Sequence, residues 1–172
     1  AVSQKACKLS EILITKIFSK SFDEIYLNFI GFFREWGKKF SHSEPMAQLV
    51  SLAIRVSLSQ KRYEDAQSLA ALFGEMGFDQ PIRHSVKNDI IDEEIAAQIA
   101  SDFIKSKKKD RRILFEIGML IGNPHLAEKI IPYIADSDKD LRSNILRILT
   151  SIGPEVMGIL EKFIDNTIAF IR

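Results

Sequence analysis

Cysteine is nearly missing from this chain: Cys7 stands alone among 172 residues. One thiol cannot close an intramolecular disulfide, and it cannot by itself build a cysteine-based metal site. A reducing compartment is compatible with that usage, and the expectation is a cytoplasmic protein. Glycine (eight) and proline (five) are scarce as well, which disfavours a strand-and-turn architecture, because tight turns consume both. No apolar run reaches the roughly 18 residues that span a bilayer; the richest, 25–33, is short and interrupted by Asn28. No secretory leader is evident. An excess of either charge is lacking too. Against 24 Lys and Arg stand 23 Asp and Glu, a formal net charge of +1, so any nucleic-acid reading must rest on a local patch. The chain begins with Ala1 and ends on an apolar, helix-like segment; the expectation is a domain excised from a longer chain.

What is present suits one helical domain. Hydrophobic residues make up 46% and charged residues 27%, enough to bury a core and too apolar for disorder. Helical spacing of apolar residues predicts nine helices, over about 3–20, 21–40, 44–59, 61–76, 89–105, 108–121, 124–135, 138–152 and 154–170. Ser21 and Glu24 have capping-box spacing, and Ser43 is a candidate cap for the third helix. Gly77 fits a left-handed C-terminal cap. Gly122-Asn123-Pro124 and Gly153-Pro154 are stop-then-start signals, with glycine ending one helix and proline tolerated in the first turn of the next. Residues 78–88 read as an irregular connection, since Pro81 argues against a helix through its middle, with a short helical turn there as the alternative.

The last four helices repeat. A shift of 31 residues places Arg111 on Arg142, Leu114 on Ile145, Ile117 on Ile148, Ile121 on Ile152 and Gly122 on Gly153. Beyond the turn a shift of 30 places Leu126 on Val156, Ile130 on Leu160 and Tyr133 on Phe163. One such hairpin cannot bury its own apolar stripe, so a second must stack on it. The run Asp136-Ser137-Asp138-Lys139-Asp140-Leu141-Arg142, with Ile145, Ile148, Leu149 and Ile152-Gly153 after it, resembles the turn and second helix of a HEAT repeat. The resemblance covers 105–170 well, 44–104 loosely, and leaves the first 43 residues unmatched. It implies an all-α fold: a right-handed stack of antiparallel helical hairpins, a HEAT-like α-solenoid of about nine helices with an aromatic N-terminal helical cap. It further implies that aspartate and arginine bond between neighbouring repeats, which would make Asp138 and Arg142 structural. The earlier copy carries Lys107 where Asp138 would stand. The whole chain, 1–172, reads as a single domain: an N-terminal helical pair (1–43), a degenerate repeat region (44–104) and two HEAT-like hairpins (105–172).

Little in the sequence points to chemistry. Asp136, Asp138 and Asp140 invite a calcium reading, but an EF-hand loop needs glycine at its sixth position and glutamate at its twelfth. Leu141 and Arg147 stand there, so a helix-capping turn is expected. His42, His84 and His125 form no recognised metal-ligand spacing, and neither a phosphate-cradling glycine loop nor a nucleophile elbow is present. Gly31, Gly37, Gly74, Gly118 and Gly158 fall inside helical patterns, where close helix–helix approach is the expected reason. The expectations are therefore no catalytic residues, no metal and no cofactor.

Two segments are unusual. Lys105, Lys107, Lys108, Lys109, Arg111 and Arg112 put six basic residues in eight positions, read either as a solvated turn or as a contact site for an acidic partner. Phe22, Tyr26, Phe29, Phe32, Phe33, Trp36 and Phe40 cover more than one narrow stripe, which suits a helix packed on two sides or an aromatic face for self-association. The expected function is a non-catalytic protein–protein interaction or scaffolding module, its partner another protein or another domain of the same chain, with the basic turn as contact site. The alternative is a nucleic-acid-binding helical-repeat protein using 105–112, weakened by the acidic turn at 136–140 in the repeat-related position.

Overall fold

The computed structural model describes residues 30–32, 34–35, 43–106, 108–135 and 138–171, with the backbone alone at 108 and 165–171. The expectations about Cys7, the first helix, the Ser21–Glu24 capping box, most of the aromatic helix, Gly37, His42 and Lys107 lie outside the described residues. Of the aromatic segment, Ile30 is buried and Phe32 is exposed.

Among the described residues all regular structure is helical. The order is α1 (Glu44–Ser59), α2 (Tyr63–Glu75), α3 (Gln80–Ile90), α4 (Glu93–Lys105), α5 (Lys108–Ile121) and α6 (Pro124–Ile130). A 3-10 segment (Ile131–Ala135), α7 (Lys139–Ile152) and α8 (Glu155–Ile171) complete it. None of these helices is long and apolar enough to cross a membrane.

Each helix is apolar on one side, and the stripes meet in one continuous core whose members run from Ile30 to Val156. Phe103, Ile54, Leu58, Leu69, Leu114 and Ile117 are among its fully buried members. The packing resolves into two rows: α2, α5 and α7 follow one another in the first, and α4, α6 and α8 in the second. Hairpins form between α1 and α2, between α4 and α5, and between α6 with its 3-10 extension and α7. The repeat therefore holds, but its phase is offset by one helix from the expected pairing of 108–121 with 124–135. Gly122-Asn123 links consecutive hairpins.

The other corrections have local physical causes. A helix occupies 80–90 where a loop was expected, because Pro81 sits in the first turn of α3. There its missing N–H has no intrahelical partner to lose. The expected helix over 89–105 is broken at Ile91 and Asp92, whose extended backbone starts α4 anew. The helix over 124–135 tightens to 3-10 geometry after Ile130, where Pro132 removes the N–H that would continue the α-helical ladder. Ser43 precedes α1 but lends it only its carbonyl, which accepts from the Met46 and Ala47 amides; its side chain makes no capping bond.

The junction signals were sound. Gly77, Gly122 and Gly153 take positive φ values of 67°, 55° and 84°, a region that costs other L-residues about 1 kcal/mol or more. Asn123 does most at these junctions. It is fully buried; its Oδ1 accepts from the Leu126 amide at 3.2 Å, capping α6. Its Nδ2 donates to the Ile91 carbonyl at 3.1 Å and to that of Lys87 at 3.4 Å. One side chain thus starts a helix and ties it to the α3–α4 corner.

Close approach explains one mid-helix glycine of those described. A β-carbon on Gly118 would stand 3.0 Å from Ile148 Cδ1, so α5 and α7 touch there. Gly31, Gly74 and Gly158 have nothing within 4 Å of that position, which corrects the expectation for those three.

The two kinds of glycine separate in a urea-denaturation comparison. Gly118→Ala is expected to cost about 1 kcal/mol, since the added β-carbon would press on the buried Ile148 side chain. Gly158→Ala in the open is expected to gain about 0.5–1 kcal/mol through helix propensity. Asn123→Ala should cost about 2 kcal/mol or more, combining a lost cap with unpaired buried carbonyls.

Candidate functional site at the hairpin turns

Polar side chains bond between neighbouring hairpins near the starts of α2, α5 and α7. Lys61, in the first turn, takes a left-handed φ of 58° and reaches Asp102 of α4 at 2.9 Å. The Tyr63 hydroxyl donates to the same carboxylate, and Gln98 donates to the Leu58 carbonyl at 2.7 Å. Burial pushes the Tyr63 phenol well above its usual range, and its bond to Asp102 adds to that. Burial works against the Asp102 carboxylate, but the bonds from Tyr63 and Lys61 outweigh it and hold its pKa below the ordinary value.

The next joint carries the basic segment. Arg111 of α5 donates through Nη1 to Asp138 at 2.5 Å and through Nη2 to the Ile104 carbonyl at 3.4 Å. Asp138 is also the N-cap of α7, its Oδ1 accepting from the amides of Asp140 at 2.9 Å and Leu141 at 3.1 Å. These amides, then Arg111, keep the Asp138 carboxyl below its usual pKa. Asp138 is thus a capping residue, and among the described residues no group of three His, Cys, Asp or Glu is placed to hold a metal ion.

The six basic residues do not act together. Arg111 is committed to the joint. Lys105 ends α4, where a cation suits the helix dipole, and it adds to the field on Asp102. Lys107 lies outside the described residues, and Lys108 begins α5. Lys109 is exposed, with Glu64 of α2 at 3.6 Å. Arg112 is 81% exposed along its side chain and reaches Glu116, one turn on, at 2.9 Å. Glu116 in turn accepts from Gln67 of α2.

A residue that the linear pattern missed joins them. Arg147 of α7 lies with its guanidinium carbon 4.8 Å from the centre of the Phe115 ring, within reach of cation–π attraction. Arg111, Arg112, Phe115, Asn144 and Arg147, with the carboxylates of Glu116 and Asp140, line a groove of about 490 Å³ between α5 and α7. Arg147 stands one helical turn beyond Ser143 and far along the chain from 105–112. In sequence only its α7 register, five after Arg142, could have hinted at it. Of the histidines, His84 is exposed on α3, 3.6 Å from Glu155, and His125 sits half-buried in the first turn of α6. The two are not brought together.

Comparison with other proteins adds no assignment: no protein-family model, curated protein or solved structure matches this chain.

The joint makes an acid-sensitive prediction. Asp138 and Asp102 have lower pKa values folded than unfolded, so their contribution is present above about pH 4 and is lost as pH falls through the folded values. The thermal midpoint should therefore drop on acidification below about pH 4. Asp138→Asn should lower the midpoint at neutral pH and flatten that acid limb. An acid limb equally steep in the variant would show that the carboxylate is not responsible.

Proposed function

We propose that the chain is a HEAT-like α-solenoid serving as a non-catalytic protein-interaction or scaffolding module, and that acidic segments of a partner lie in the groove between α5 and α7. The solenoid reading is supported by the Arg111–Asp138 bond, which links the α4–α5 hairpin to the next one as the HEAT resemblance implies. The observation that carries the binding reading is the convergence of Arg112 and Arg147, from consecutive hairpins, on one groove that Phe115 also lines. Exposed guanidinium groups beside an aromatic ring can pair bidentately with carboxylates while the ring takes an apolar contact. The partner is accordingly another protein, or another domain of the same chain.

The groove suits a peptide better than a nucleic acid. Glu116 and Asp140 interrupt it, and Glu64 offsets Lys109, so a uniformly charged phosphate backbone meets repulsion where a mixed acidic sequence can avoid it. A fluorescent glutamate-rich peptide containing one leucine, titrated at low ionic strength beside a single-stranded and a duplex oligonucleotide, tests this. The peptide is expected to bind, and Arg112→Glu with Arg147→Glu should weaken it about tenfold or more without loss of helix content. Tighter binding of either oligonucleotide, or no effect of the charge reversal, would reject the proposal.

A further inference from the structure

At the opposite end of α5 and α7 from the basic turn lies a second concavity, created by α3. This helix is extra to the hairpin order and packs chiefly against α1. It roofs a cleft of about 370 Å³, a volume in the range of small-molecule sites.

The cleft has two chemically distinct sides. Phe73, Met119, Leu120 and Ile152 form an apolar side, and Leu120 is nearly half exposed within it. Arg83, His84 and Lys87 of α3 bring basic side chains to the other, and Glu155 is the one carboxylate lining it. Their spacing puts Lys87 one turn beyond Arg83 and His84, on a common face.

The donors there are incompletely used. Arg83 gives Nη2 to the Gly74 carbonyl at 2.8 Å, but its Nε is buried with no acceptor. A buried unpaired donor ordinarily costs about 1–3 kcal/mol, so such groups call for a partner. Lys87 is largely enclosed and has Glu155 at 3.9 Å, and His84 has it at 3.6 Å; both separations exceed hydrogen-bond length. His84 and Lys87 thus share one distant carboxylate, with Arg83 lining the same cleft beside an apolar wall.

We infer that this cleft binds a small apolar monocarboxylate, its head group at Arg83, His84 and Lys87 and its chain along Phe73, Met119 and Leu120. The head group supplies the acceptor that Glu155 is too far away to be, and the chain covers Leu120. This site shares no lining residue with the α5–α7 groove and does not depend on how that groove is used.

Decanoate is the probe, titrated into the 172-residue chain by calorimetry and by amide chemical shifts, with decanol and inorganic phosphate in parallel. Decanoate should bind, shifting amides of α3 and the ends of α5 and α7, with both decanol and phosphate at least about tenfold weaker. Lys87→Gln should weaken decanoate by about tenfold, and Leu120→Gln, at an exposed position, by about threefold. Glu155→Gln, which removes the competing carboxylate, should tighten it. A purely structural role for these side chains predicts no binding. The inference is overturned by the absence of decanoate binding up to about 10 mM, by decanol binding equally well, by phosphate binding equally well, or by a Glu155→Gln chain that binds decanoate more weakly. Circular dichroism on each variant separates a lost site from a lost fold.

Discussion

An amphipathic helix cannot bury its stripe alone, and this constraint organises the molecule. The α7 stripe of Leu141, Ile145, Ile148, Leu149 and Ile152 is fully covered only because α5, α6 and its 3-10 extension, and α8 surround it. The α5 stripe is covered in turn by α2, α4 and α7. Each hairpin is therefore stable through its neighbours, as expected of a quasi-one-dimensional stack. Close contact between Gly118 and Ile148 lets two such helices approach without a void.

Apolar stripes are nondirectional, and polar joints set the alignment. At one end Asp102 and Asp138 each collect donors from a neighbouring element. At the other end Asn123 holds the α3–α4 corner to the start of α6, while Arg55 bonds the Asp89 carbonyl and pairs with Asp92. Asp92, Asn123 and Asp138 are all N-caps. Short polar side chains serve as helix starts and as ties between hairpins together, so a single substitution there disturbs two levels of structure.

The two concave features have different origins. The α5–α7 groove follows from regular stacking, which sets equivalent faces of successive hairpins side by side and brings Arg112 near Arg147. The cleft under α3 follows from a departure from regularity, because the extra helix leaves Arg83, His84 and Lys87 above an apolar wall. Opposite ends of the same helices thus carry a groove of about 490 Å³ and a cleft of about 370 Å³.

The sequence by itself determined the helical class, the bounds of α1 and α5, the glycine stops at 77, 122 and 153, and the repeat frame joining Arg111 to Arg142. These follow from local rules: stripe periodicity, caps and positive φ act within a few residues. It misread 78–88, since Pro81 is compatible with a helix start as well as with a loop, and only packing on α1 chose between them. Hairpin phase also belonged to the tertiary structure. Periodicity says that Lys108–Ile121 is a helix but not whether it pairs with the helix before it or the one after. The candidate sites were split in the same way. The basic run was visible as composition, yet which of its cations are spent on Asp138, Glu64 and Glu116, and which distant arginine joins them, depends on contacts across helices. Side-chain charge is a property of sequence, whereas its neutralisation is a property of distance, and distance is set by the fold.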